Sequence, residues 1–141
     1  MWLDKQTEDE NMLEVVAALI RDGEKFMICR RPENKARALQ WEFPGGKVET
    51  GETAEEALMR ECREEMDIEI ACEAEYMDLI HEYPDITVHL HLIPCRIVRG
   101  EPKKIEHSDI CWIDISQADG FDFCPADRIF IERMKMHAEK G

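Results

Sequence analysis

Three carboxylates, Glu61, Glu64 and Glu65, are the residues whose types and spacing point to chemistry. Residues three and four apart on a helix share a face, so on a helix these three would project together. Like charges at such spacings destabilise an isolated helix by roughly 0.2–0.5 kcal/mol per pair, so the cluster calls for a compensating charge. Magnesium suits it, because this hard cation takes oxygen ligands and bridges a few carboxylates to substrate phosphates. Arg60 adjoins the cluster and could pair with Glu52 or Glu56, fixing a carboxylate in one rotamer. Gly45 and Gly46 let main-chain carbonyls and amides approach a metal or phosphate closely. An isolated E-x-x-E-E is ordinarily a solvated helix face laced with arginines. Here it comes with a diglycine loop, a further glutamate and an arginine at set intervals, which favours a ligand set.

The elements that must position these residues can be read from pattern. Leu13–Arg21 is an apolar run that reads as a buried strand; Asp22-Gly23 turns it into Lys25–Arg30 as hairpin partner. Residues 32–40 are loop-like, and Pro44-Gly45-Gly46 predicts an irregular backbone rather than a regular element. Thr53 and Glu56 form a capping box, so a helix should start just after Thr53 and continue to about Met66. Residues 68–82 and 86–99 are strand-rich, with Tyr83-Pro84-Asp85 between them and period-two alternation from Ile86 onward. Asp109–Ile115 reads as a short strand, and Pro125 as the first residue of a last helix reaching about Ala138. Mixed strands and helices predict an α/β fold with helices packed on the faces of a mixed sheet. Residues 1–12 read as a flexible acidic tail, and residues 13–141 as a single domain.

The segment from Gly46 to Ile68 resembles the Nudix box, G-x5-E-x7-R-E-U-x-E-E-x-G-U, where U is bulky and apolar. Gly46, Glu52, Arg60, Glu61, Glu64, Glu65 and Ile68 match it. Cys62 takes the first apolar slot, where a small inward-packing hydrophobe is expected. Asp67 replaces the glycine at the helix end, where it should adopt a left-handed conformation at some cost. The resemblance implies a Nudix-like α/β/α sandwich with a mixed central sheet. It also implies hydrolysis of a phosphoanhydride by metal-activated water, without a covalent enzyme intermediate. On that basis Glu61, Glu64 and Glu65 would bind Mg2+ (Mn2+ as a substitute), helped by the carbonyl of Gly45 or Gly46. Glu61 or Glu52 would be the general base, with Arg60 beside them. Glu106 matches a loop glutamate that precedes a late Trp-bearing strand in MutT-like relatives, as a further metal ligand.

CRRP, WEFPGGKVETGE and the later PAD resemble the MutT and CTP-pyrophosphohydrolase branch. The substrate implied is a (deoxy)nucleoside triphosphate, 8-oxo-dGTP-like or CTP-like, cleaved to the monophosphate and pyrophosphate. Asp127 stands where that branch carries a base-reading asparagine. An ionised Asp accepts hydrogen bonds and donates none, which suits an exocyclic amine such as cytosine N4 or the donor edge of guanine; a plain role at the helix N-terminus is the alternative. Arg31 and Lys47 could touch phosphates or sugar, and Phe43 and Tyr83 could pack against a base. His89 and His91 share one strand face, but no third ligand lies near them in sequence, so they read as polar sheet-face residues. Hydrolysis of another nucleoside diphosphate derivative, such as ADP-ribose, and a non-catalytic nucleotide-binding regulator are the competing functions. The intact R-E-x-x-E-E argues against the second.

Net charge is −14, from 18 Lys+Arg and 32 Asp+Glu, which argues against a nucleic-acid polymer as partner. The same charge should repel an anionic substrate unless divalent cations intervene. Six cysteines without a C-x-x-C pair, and an N-terminus without a signal pattern, predict reduced thiols and a cytoplasmic protein, monomer or homodimer. No apolar run approaches the ~20 residues of a membrane span.

Overall fold

Alternation along the first strand decides the architecture. In β1 (Met12–Asp22) the side chains of Val16, Ala18 and Ile20 enter one core and those of Ala17 and Leu19 another, all essentially inaccessible. A strand buried on both faces needs a covering layer on each side. The computed structural model describes residues 12–140, with side chains through residue 138. The expected tail therefore lies outside the described residues, except Met12, which already pairs with Thr87 in β1.

β1 runs parallel to β7 (Thr87–Arg99) over Met12–Ile20 and Thr87–Cys95. Its other edge carries β2 (Lys25–Arg30) and β4 (Gly45–Lys47), both antiparallel. β3 (Trp41–Glu42) and β8 (Asp109–Ile113) flank β2, while β5 (Glu69–Cys72) and β6 (Met77–Glu82) pair with β7. The result is a mixed eight-stranded sheet. Helix α1 (Ala54–Met66) covers one face through Ala57, Leu58, Cys62 and Met66. Helix α2 (Pro125–Lys140) covers the other through Ala126, Phe130 and Ile131. This is the α/β/α sandwich that the sequence implied.

Residues 68–82 are strand-rich as expected, divided into two strands where the chain turns at residues 73–76 and moves along β7. Two expectations need correction. β8 ends at Ile113, since Asp114 caps a 3-10 helix over Ile115–Gly120. The diglycine segment is not wholly irregular. Gly45–Lys47 pairs with Val15–Ala17, and this close approach is what requires glycine: a Cβ on Gly45, at φ +155°, would lie 2.0 Å from the Val16 carbonyl oxygen.

Candidate active site

The start of α1 sets the site. Thr53 Oγ1 accepts from the Glu56 N–H, and Glu56 Oε1 accepts from the Thr53 N–H, completing the predicted box. Glu56 is thus engaged at the cap, and Arg60 turns to Glu52 instead. Its Nε donates to Glu52 Oε2 at 2.7 Å and its Nη2 to Glu52 Oε1 at 3.0 Å, a two-pronged pair. Nη1 donates to Glu61 Oε1 at 2.7 Å and Glu64 Oε1 at 3.0 Å, and Nη2 also reaches the Lys47 carbonyl at 3.0 Å. One guanidinium therefore fixes three glutamates and the strand that carries Gly46. The helix closes as expected: Asp67 sits left-handed at φ 56°, its N–H on the Arg63 carbonyl, and Cys62 is buried.

The carboxylates differ in state. Both Glu52 oxygens accept from Arg60, and Oε1 also accepts from the Glu49 N–H; these bonds hold its pKa below the ordinary range. Glu61 is pushed up by burial, which outweighs its bond to Arg60. Glu65 is pushed up to about 9, by burial first and the neighbouring Glu61 second. Its Oε2 is buried and has no hydrogen-bond partner. An orphaned carboxylate oxygen is costly unless a cation meets it.

A cleft of about 410 Å³ opens beside these groups, lined by Glu61, Glu65, Gly45 and Gly46. A Cβ on Gly46 would come within 2.5–2.8 Å of the Glu61 carboxyl group, so the glycine leaves that group a cradle. Glu52, Arg60 and Glu64 stand outside the lining, with Glu64 well exposed. The sequence grouped all seven; the structure puts Glu61, Glu65 and the two glycines on the wall and leaves Glu52, Arg60 and Glu64 off it. Orphaned oxygen, glycine cradle and all-oxygen donor set together fit a hard divalent cation at Glu61 and Glu65, with Glu64 at the rim.

The same cleft is also lined by the remaining substrate-contact candidates and the candidate loop ligand: Arg31, Phe43, Lys47, Tyr83, Glu106 and Asp127. Their contacts separate them. Asp127 is buried, and its Oδ1 accepts from the Phe43 N–H at 3.0 Å. Burial, then Glu42, pushes its pKa up to about 8. Burial therefore favours the protonated acid, which donates as well as accepts, over the acceptor-only form expected from the sequence. The Phe43 ring belongs to the core, packed on Phe26 and Phe130 at 5.9 and 6.5 Å between centroids. Tyr83 Oη accepts from the Ala126 N–H at 2.9 Å, tying the turn to the first residues of α2; Arg37 lies 4.0 Å over its ring. Arg31 is paired to Glu42 at 2.9 Å, whereas Glu106 is exposed and 3.2 Å from Lys35.

Pattern reading missed Lys35, Arg37, Glu42 and His107, all on the cleft wall. Arg37 and Leu39 adopt left-handed φ of 56° and 60° in the 31–40 loop, a departure rare enough for non-glycine residues to mark a constrained segment. His107 is buried with Nε2 3.4 Å from Glu42 and Nδ1 unpartnered. No local motif announces these residues, because loop closure brings them in from residues 35 to 107.

Comparison with known proteins agrees with this geometry. A family model described as a NUDIX domain matches residues 15–133. The CTP pyrophosphohydrolase of Escherichia coli (strain K12) is 35% identical over 121 residues, covering 86% of this chain and 90% of that protein. The 8-oxo-dGTP diphosphatase of the same organism is 32% identical over 124 residues, covering 87% and 96%. Among solved structures, the E. coli ORF135 protein superposes with a TM-score of 0.76 at 33% identity, over 92% of this chain and 93% of that one. A MutT protein from Methanosarcina mazei Go1 gives 0.80 at 27% identity, over 90% and 95%. With the charged positions of the box present from Glu52 to Glu65, the sandwich formed and the acidic cleft in place, this chain belongs to the Nudix hydrolase family.

Proposed function

We propose that the protein is a magnesium-dependent pyrophosphohydrolase that cleaves a (deoxy)nucleoside triphosphate, CTP-like or 8-oxo-dGTP-like, to the monophosphate and pyrophosphate. The observation that carries this reading is a single cleft lined both by the orphaned Glu65 carboxylate and by the buried, hydrogen-bonding Asp127. The first suits a cation on a phosphate chain, and the second suits a base edge. Glu61, Glu64 and Glu65 would hold the metal, with the carbonyl of Gly45 or Gly46 and Glu106 available beside them. When bound, magnesium, or manganese in its place, neutralises and orients the phosphates and acidifies water.

The remaining work falls to the chain. Arg60 keeps Glu61 and Glu64 in register with the glycine strand. Glu61 takes the proton of the attacking water, because both oxygens of Glu52 are committed to Arg60. Lys47, Arg31 and Lys35 supply positive charge toward phosphate or sugar, offsetting the repulsion expected at a net charge of −14. Asp127 contacts the base as a neutral acid, presenting a donor and an acceptor as an amide would.

The relatives named for CTP and for 8-oxo-dGTP support this substrate class. The cleft is built within one chain, so a monomer suffices and a homodimer is compatible. Six free thiols suit a reducing compartment, which supports the cytoplasm. Among the described residues no helix is long and apolar enough to cross a membrane. The test is a screen of canonical and oxidised nucleoside triphosphates with Mg2+, reading pyrophosphate against orthophosphate. Pyrophosphate release lost on EDTA addition is the expected result. Orthophosphate as first product, or preference for ADP-ribose over every triphosphate, would overturn the reading.

A further inference from the structure

His89 and His91, read from the sequence as polar sheet-face residues for want of a third ligand, acquire one when the sheet forms. The parallel register of β1 and β7 sets Glu14 directly beside His89, and the antiparallel register of β6 and β7 sets Asp78 beside His91. The two imidazoles lie with centroids 4.1 Å apart, their planes tilted by 47°. His89 Nδ1 and His91 Nε2 both converge on Glu14 Oε1, at 3.0 and 2.9 Å. The outward nitrogens each meet another carboxylate at 2.7 Å, His89 Nε2 with Asp78 and His91 Nδ1 with Glu75.

That arrangement constrains the protons. A neutral imidazole has one N–H. If it donates outward to Asp78 or Glu75, the inner nitrogen aims a lone pair at the Glu14 carboxylate. If both rings are fully protonated instead, two cations lie with centroids 4.1 Å apart. A metal ion between the inner nitrogens and Glu14 removes both conflicts. The outer carboxylates then become the partners that orient metal-bound histidines in protein sites. Ligands on a tetrahedral ion with bonds of about 2.0–2.1 Å lie about 3.3 Å apart, close to the 2.9 and 3.0 Å found here. We infer that Glu14, His89 and His91 form a second metal site, taking a borderline divalent ion such as Zn2+ or Co2+, separate from the all-oxygen site of the cleft. Imidazole donors select such ions over Mg2+. Both histidines are partly exposed, so the site is open to solvent for entry and for a fourth, water ligand. A bound ion would clip β1 to β7 where Glu14 also accepts the Val48 N–H through its carbonyl.

The test uses the full chain, stripped with EDTA and returned to millimolar Mg2+, titrated with Zn2+ and separately with Co2+. One Zn2+ per chain at micromolar or tighter affinity is expected, with visible Co2+ absorption and a rise in Tm. His89→Asn and His91→Gln should each weaken Zn2+ by at least 100-fold, and Asp78→Asn by about 10–100-fold as an orienting partner. Glu61→Gln should leave Zn2+ binding unchanged. Should a histidine variant fail to fold, the exposed Glu14→Gln and Asp78→Asn decide. Absence of Zn2+ binding in the Mg2+-loaded chain, or unchanged affinity in both of those variants, would overturn the site.

Discussion

Replacing Glu65 with glutamine should make the metal-free protein more stable while disabling it. In the folded chain Glu65 keeps its proton up to about pH 9, whereas an ordinary glutamate loses it above about 4.5. Between those values the folded state holds more protons than the unfolded state, so stability falls as pH rises through the window. Each pH unit costs about 1.4 kcal/mol, and pH 7 stands about 2.5 units above the lower limit, so the penalty reaches about 3 kcal/mol. Glu65→Gln removes it because glutamine does not ionise in either state. Urea denaturation in EDTA should then give a variant midpoint higher by about 1–2 M at pH 7, with the gap widening toward pH 8. Magnesium should reverse the trend: at about 100 times its dissociation constant a bound ion adds about 2.7 kcal/mol to the wild type, and little to a variant lacking the carboxylate. Because the ion must displace the Glu65 proton, its apparent affinity should climb toward tenfold per pH unit up to about pH 9. A variant less stable than wild type in EDTA from pH 6 to 8, or equal stabilisation of both by magnesium, would refute the reasoning.

The two glycines should separate stability from chemistry. Gly45→Ala drives a Cβ to 2.0 Å from a backbone oxygen and should cost about 2–3 kcal/mol or more in denaturation, whereas Gly46→Ala meets only the movable end of Glu61 and should lower kcat about 10-fold or more with Tm nearly unchanged. Arg60→Lys cannot reproduce the fork to Glu52 while also holding Glu61 and Glu64, so kcat should fall by about 10–100-fold; wild-type turnover would remove Arg60 from the positioning role. Asp127→Asn should keep the substrate ranking at pH 7, where the wild-type acid is chiefly neutral, and should retain nucleotide affinity above about pH 8, where wild type ionises and weakens. Parallel pH profiles for the two proteins would return Asp127 to a structural role.

Local signals carried much of this in the sequence. The capping box, the carboxylate spacing and the left-handed Asp67 each depend on residues within a few positions, so pattern alone places α1 and its acidic face. What pattern could not decide was partnership. Whether Arg60 takes Glu52 or Glu56 depends on which glutamate the cap consumes, and only the folded helix start answers that. Phe43 is core, Tyr83 anchors α2, and Glu42 sits between Arg31 and His107 because distant segments close over the sheet. Gly45–Lys47 is a strand because β1 offers it an edge, a long-range fact that proline and glycine content obscures. The upward shift of Asp127 was not legible for the same reason, since burial is a property of the packed cleft and not of the side chain.

A crystal of the protein soaked with Mn2+ and a non-hydrolysable nucleoside triphosphate analogue tests the central claim most directly. An anomalous peak within about 2.3 Å of a Glu65 oxygen, shared with Glu61 and a phosphate oxygen, is the predicted result. A phosphate chain bound away from the Gly46 strand, with Glu61 and Glu65 touching no metal, would contradict it.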